Sequence, residues 1–335
     1  MRLTHSIAPF MRHAAGIATL LAAALSATGT AQAAAANEKV ILLGADDVCG
    51  YCAAYNTTAK QYAKEKGLDL KLVTNKFDAA EQAAQVDQAI AQKPAAILLW
   101  AIDGTALLPS MHKIQRAGIP LLLTDVLPDQ KYDSLWVQYS GGDYEAEGRA
   151  AAHLMVDGFK AKGLGTTGDI IEITGYVGQA QVISRDKGFR EELAKIAPGI
   201  KVVGVQPGNW DQGTSTTAAA GLFTKFGKSI KGAYAQEDAM AAGAIVAAER
   251  AGLTPSQLSV VGVGCEPIGA DLLKSGKLYG TVLQSPMDEA HYAIDSAVDL
   301  LNGKKLDKLR FVPMPSVTAK DDIDQICKPW PSASQ

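Results

Sequence analysis

From residue 39 onward, short runs of β-branched and aliphatic residues alternate with longer amphipathic segments. Few folds accommodate that alternation: it is the pattern of parallel strands, each followed by a crossover helix. Strand-like runs fall at 39–44, 68–74, 95–99 and 120–124, separated by helix-like segments at 53–66, 77–92 and 105–117. A second series begins after residues 136–139. Its strands are expected at 169–174, 201–205, 232–235, 260–264 and 280–284, and its helices at 144–162, 181–195, 214–226, 238–252 and 267–275. A further helix at 287–302 precedes an extended piece at 310–314 able to return between the two halves. The expectation is an α/β protein of two doubly wound parallel-sheet lobes joined by a multi-strand hinge. The first lobe spans 34–140 and is completed by about 285–305, the second spans 141–284, and 306–335 forms a hinge strand and tail.

The 335 residues, 47% of them hydrophobic, suffice for two domains with real cores. Lys+Arg number 32 against 35 Asp+Glu, a net charge of −3 with no run of five like charges, so no electrostatic footprint points to nucleic acid. Residues 1–33 carry Arg2 and Arg12 but no acid, then an apolar stretch from about 14 to 27, then Ala31-Gln32-Ala33. The stretch is shorter than the ~20 residues that span a bilayer, and the small-x-small triplet reads as a cleavage site. Residues 1–33 are therefore expected to be an export signal, and the periplasm the destination.

Open parallel sheets bind ligands beyond the carboxyl ends of their strands, so two sheets facing each other across a hinge predict one interlobe cleft. The segments that matter are 45–51, 100–103, 124–127, 175–185, 207–210, 236–238, 264–266 and Gln284. Other chemistry finds little support. His112, His153 and His291 are too scattered to spell a metal site. The glycines of 163–169 follow a helix and enter a strand, the reverse of a phosphate-binding loop, and no serine nucleophile elbow is present. No cofactor is expected.

Six segments, GIPLLLTDV (118–126), GQAQVISRDKGF (178–189), Asn209-Trp210-Asp211, YAQEDAMAAGAIVAAERAG (234–252), VVGVG (260–264) and GKLYGTVLQSP (276–286), follow one another in an order that resembles the type 1, ribose-binding-like periplasmic sugar-binding proteins of ABC transporters. The resemblance covers the chain beyond its first segment. It implies a non-enzymatic, monomeric receptor that closes on a small polar solute, a sugar or polyol, and presents it to an ABC permease. The alternative partner it allows is a chemoreceptor or sensor kinase. By the same resemblance Asp125 accepts two sugar hydroxyls, Arg185 forks over ring and hydroxyl oxygens, Trp210 stacks on the apolar face of the ligand, and Gln284 is the hinge-side amide. Glu237 replaces an amide common at its position. Val126 and Gly264 stand where the family has an arginine and an aspartate, and Tyr51 and Cys52 where it has paired phenylalanines. These departures argue against a ribose-like pyranose. With Glu237, Glu266, Asp46 and Asp47, they suggest an acidic cleft suited to a polyol, an amino sugar or another cationic ligand.

Four cysteines in an exported chain allow three disulfide connectivities. Cys49-Gly50-Tyr51-Cys52 lies where a strand ends and a helix begins, the place of a thioredoxin-like redox pair, and the string looks like the active site of periplasmic disulfide isomerases. Thiol-disulfide exchange is thus the rival reading; the other is a local structural disulfide that shapes a cleft loop. Cys265, at another strand end, and Cys327, in the tail, are the remaining two, and a bridge between them would pin the tail.

Overall fold

In the computed structural model, which describes residues 38–331, the aliphatic runs are strands and the amphipathic segments pack on them. The expected signal at 1–33 lies outside the described residues. The first half runs β1 (Lys39–Ala45), α1 (Gly50–Glu65), β2 (Asp69–Asn75), α2 (Ala79–Ala91), β3 (Ala96–Leu99), α3 (Leu108–Arg116), β4 (Leu121–Thr124) and β5 (Gln138–Gly141). The second runs α4 (Tyr144–Ala161), β6 (Gly168–Thr174), α5 (Ala180–Ile196), β7 (Ile200–Pro207), α6 (Gln212–Phe226), β8 (Ile230–Ala235), α7 (Asp238–Arg250), β9 (Ser259–Gly264), α8 (Pro267–Lys274) and β10 (Gly280–Leu283). After them come α9 (Pro286–Leu301), β11 (Leu309–Phe311), β12 (Ser316–Thr318) and the short α10 (Ile323–Ile326).

Two sheets result, in the orders β11-β5-β4-β3-β1-β2 and β12-β10-β9-β8-β6-β7. All pairings are parallel except that of β12 with β10. The two doubly wound lobes expected from the sequence are present, wound alike. Central strands such as β3 (AILL) and β4 (LLLT) are buried at every position because helices cover both faces, which is why they read as unbroken aliphatic runs.

The chain passes between lobes three times. α4 gives Ala151, Met155 and Phe159 to the core around Ile170 and Tyr234, so the first crossing lies just after β5. α9 gives Ala290, Ala293, Ile294 and Ala297 to the core around Val40, Leu42 and Tyr55, so the chain has returned by Pro286. β11 then extends the first sheet and β12 the second, placing the third crossing at 312–315. The extended return expected at 310–314 is therefore two three-residue strands flanking a crossing; segments so short carry no readable period. A Cβ on Gly142 would meet the Met314 side chain, so the first and third crossings touch.

Close helix packing sets up the site. A Cβ on Gly148 would lie 2.1 Å from the Arg185 carbonyl oxygen, and one on Gly188 2.1 Å from that of Glu145. Only glycine allows α4 and α5 to approach this closely, and the approach brings Glu147 of α4 against Arg185 of α5.

Candidate functional site

Both sheets carry the 2-1-3-4-5 winding whose switch point lies between the first and third strands. In the first lobe the loops after β1 and β3 and the first turn of α1 deliver Cys49, Trp100 and Tyr51; in the second, the first turns of α5 after β6 deliver Gln181 and Arg185, and the loop after β8 delivers Glu237. These groups face one another across a cavity between the lobes, the place where facing α/β sheets hold small ligands. The lobes meet around it: Phe77 and Tyr176 approach ring to ring at 6.0 Å, and Gln284 donates to Tyr51 Oη at 3.3 Å.

Arg185 is the central polar group. It is 3% exposed, and it donates Nε to Glu147 Oε2 at 2.6 Å, Nη1 to the Gln236 carbonyl at 3.1 Å and Nη2 to Gln284 Oε1 at 2.5 Å. Three of its five N–H groups are thus engaged within the protein, which leaves two for the cavity. Its guanidinium lies 4.9 Å from the Tyr144 ring centroid and 5.7 Å from that of Trp210. The Trp210 indole donates to Gln179 Oε1 at 2.9 Å, and a Cβ on Gly175 would lie 1.8 Å from that ring. Gly175 therefore vacates the space that the indole fills.

Asp125 follows β4 in a left-handed conformation, φ 59°, uncommon for a residue with a side chain. Tyr139 holds the turn by donating its hydroxyl to the Asp125 carbonyl at 2.7 Å. Burial pushes the Asp125 carboxyl up to about 7, with Arg185 pulling it down and Glu147 adding to the rise. Across the cavity, Glu237 and Glu266 stand at the N-termini of α7 and α8. Glu266 accepts the Ala239 N–H at 3.3 Å, while Glu237 Oε2 and Gln181 Oε1 are buried without a partner in the protein. Burial raises Glu237 to about 8, and it raises Glu266 well above the carboxylate range, with Glu237 and Asp238 adding to the effect. The cavity therefore offers carboxyl groups that carry protons near neutrality, able to donate as well as accept, beside one guanidinium, one hinge amide and a ring of aromatic faces. Such a set suits a compact ligand dense in hydroxyls.

Of the residues singled out in the sequence, Tyr51, Asp125, Arg185, Trp210, Glu237, Glu266 and Gln284 line this cavity. Asp46 does not, nor does Asp47. The Asp46 carboxylate accepts the backbone N–H of Asp47 at 2.8 Å, and Asp47 accepts the amide of Asn56 in α1 at 2.8 Å, so both serve the β1–α1 connection, and the carboxyls that line the cavity are Asp125 of the first lobe and Glu237 and Glu266 of the second. Phe77, Tyr144, Gln181, Trp100 and Trp330 line the cavity without having been assigned roles. Trp100 and Gln181 lie in the strand-end segments marked by the sequence. Phe77 and Tyr144 follow β2 and β5, ends to which the same rule could have been applied; Trp330 belongs to the tail and had no such signal.

The cysteines pair as Cys49–Cys52, Cα atoms 5.2 Å apart, and Cys265–Cys327, 5.1 Å apart. Cys49 caps α1, its sulfur accepting the Cys52 N–H at 3.1 Å, and Cys52 is fully buried in the first-lobe core.

Residues 22–305 match the family described as periplasmic binding protein domain. The chain is 31% identical over 263 residues to the xylitol-binding protein of Mycolicibacterium smegmatis, covering 78% of this chain and 72% of the relative. It is 30% identical over 240 residues to the galactofuranose-binding protein YtfQ of Escherichia coli, covering 71% and 74%. Among solved structures, a galactofuranose binding protein superposes with a TM-score of 0.79 at 25% identity, covering 87% of this chain and 97% of its own. The binding protein of an arabinose ABC transporter from Shewanella, holding arabinofuranose, superposes with a TM-score of 0.77 at 26% identity, covering 84% and 92%. The chain belongs to the periplasmic binding protein family, and within that family it is similar to sugar-binding proteins of ABC transporters.

Proposed function

We propose that this protein is a periplasmic receptor that captures a sugar or polyol between its lobes and presents the closed form to an ABC importer, acting as a monomeric binding protein and not as an enzyme. The observation that carries the reading is the cavity itself. Its polar groups come from both lobes and from the hinge, so a ligand reaches all of them only when the lobes are shut. Binding energy then draws the open-to-closed equilibrium toward the form a permease can recognise.

In this reading Arg185 and Asp125 pair with hydroxyls, Trp210 and Tyr51 flank the apolar face of the ring, Gln284 bridges ligand and hinge, and Glu237 and Glu266 take the far hydroxyls. Residues 1–33 direct export and are removed. Support also comes from relatives whose own ligands are xylitol, galactofuranose and arabinofuranose.

A thermal-shift screen of the mature chain tests the proposal, because a ligand that binds only the folded state raises its melting temperature. Xylitol, pentoses, hexoses in pyranose and furanose forms, inositols and amino sugars form the panel. A saturable shift with one sugar or polyol is expected; silence across the panel would overturn it.

A further inference from the structure

We propose that the C-terminal tail is a latch for the closed form: Trp330, tethered to the second lobe by the Cys265–Cys327 disulfide, docks on Tyr51 of the first lobe and walls the mouth of the ligand cavity. The inference rests on the cavity being the ligand site and adds a part that closes it.

The tail belongs to the second lobe at its base. Val317, Ile323 and Cys327 are buried in that lobe's core with Ile326 packed beside them, Lys274 of α8 pairs with Asp324, and Cys327 is bonded to Cys265 at the end of β9. Beyond the disulfide, three residues carry the chain to the other lobe. Pro329 stiffens that span, and the Trp330 indole meets the Tyr51 ring edge-on with centroids 5.8 Å apart. It also covers Gly50, where a Cβ would lie 3.8 Å from the indole, and packs against the first-lobe core. Trp330 is a cavity-lining residue that comes from neither a strand end nor a hinge strand.

Covalent attachment to one lobe and contact with the other make the geometry state-dependent. When the second lobe swings away, the disulfide carries Trp330 with it and the Tyr51 contact is lost. An aromatic pair of this kind favours the closed form by roughly two- to tenfold. Tyr51 also accepts from Gln284, so the latch lands on a ring already tied to the hinge. The same disulfide braces the segment Gly264-Cys265-Glu266, in which Cys265 has φ 59° and both neighbours line the cavity.

The test compares Trp330→Ala, Trp330→Phe and the pair Cys265→Ser/Cys327→Ser with the parent protein. Ligand release is followed by stopped-flow fluorescence, using whichever of xylitol, L-arabinose, D-galactose and D-ribose gives the largest thermal shift. Release should quicken about threefold or more in Trp330→Ala and in the double serine variant, and stay near the parent rate in Trp330→Phe. Unchanged release in Trp330→Ala overturns the latch. A second arm needs no ligand: small-angle scattering of the empty proteins should give Trp330→Ala a larger radius of gyration than the parent, and equal radii overturn the latch even if all four compounds are silent. Silence across the whole thermal-shift panel with a larger radius leaves the latch standing and overturns the sugar or polyol reading.

Discussion

Arg185 donates to Gln284 Oε1 at 2.5 Å, which joins a helix of the second lobe to a residue in the second crossing between lobes. Gln284 passes the connection on, its amide nitrogen lying 3.3 Å from Tyr51 Oη and 3.2 Å from Glu289 Oε1 in the first lobe. Together with Glu147 behind Arg185, these groups form one hydrogen-bonded line from α4 through the hinge to α1 and α9. A ligand touching Arg185 and Gln284 therefore touches the parts whose alignment defines closure.

The buried ion pair at the root of this line separates stability from binding. Arg185→Ala strands Glu147, whose side chain is fully buried, and should destabilise the protein by about 3–5 kcal/mol while abolishing ligand affinity. Arg185→Met combined with Glu147→Gln removes both charges and should regain most of that stability but none of the affinity. Urea unfolding and calorimetric titration of the three proteins check this; equal stability of the single and double variants would contradict the pairing.

Trp210 and Gly175 form a second coupled pair. Trp210→Ala should weaken ligand binding about tenfold or more, as removal of a buried stacking face does. Gly175→Ala, which touches no ligand, should produce a loss of similar size, because its methyl would occupy the place of the indole. A near-normal affinity in Gly175→Ala would mean that the indole position does not matter to the ligand.

Proton linkage sets the pH behaviour of the empty protein. Asp125 and Glu237 titrate near 7 and 8 when folded and near ordinary carboxyl values when unfolded, so between those limits the folded state holds more protons. The stability that their protonation confers is fully present below about pH 4 and is lost as pH rises through about 7 to 8. Melting temperatures of the ligand-free protein should therefore fall from about pH 5.5 to about pH 8.5, and Glu237→Gln should flatten the decline. A melting temperature that rises over that range would show that these carboxyls are ionised in the empty cleft.

The legible parts of the molecule were those with a periodic or positional signature. Buried parallel strands such as β3 and β4 announce themselves as aliphatic runs, and the strand-end rule points to the segments that hold Asp125, Trp210 and Glu237, all of which line the cavity. Glu147 was invisible because its role depends on two helices meeting at Gly148 and Gly188, a tertiary contact with no local pattern. Asp46 and Asp47 show the opposite case: they sit at a strand end but do not line the cavity, their carboxylates accepting from the Asp47 backbone and from Asn56 of α1. Trp330 reaches the cavity through a disulfide that joins residues 62 apart, and pairing among four cysteines cannot be read from spacing.

The Cys49–Cys52 bridge is the place to separate a structural disulfide from a redox one. It encloses a very short loop, so chain entropy assigns it only about 2 kcal/mol, against about 4 kcal/mol for the loop closed by Cys265–Cys327. Cys52 is buried in the first-lobe core and the Cys49 sulfur caps α1, roles that a serine at 49 and an alanine at 52 largely reproduce. Cys49→Ser/Cys52→Ala should thus lower stability by about 2 kcal/mol or less and keep affinity for the screened sugar or polyol within about threefold. The parent protein should show no turnover in an insulin-reduction assay. Turnover that disappears in Cys49→Ala would instead make this pair a catalytic thiol-disulfide centre, and the adjoining cavity the seat of its substrate.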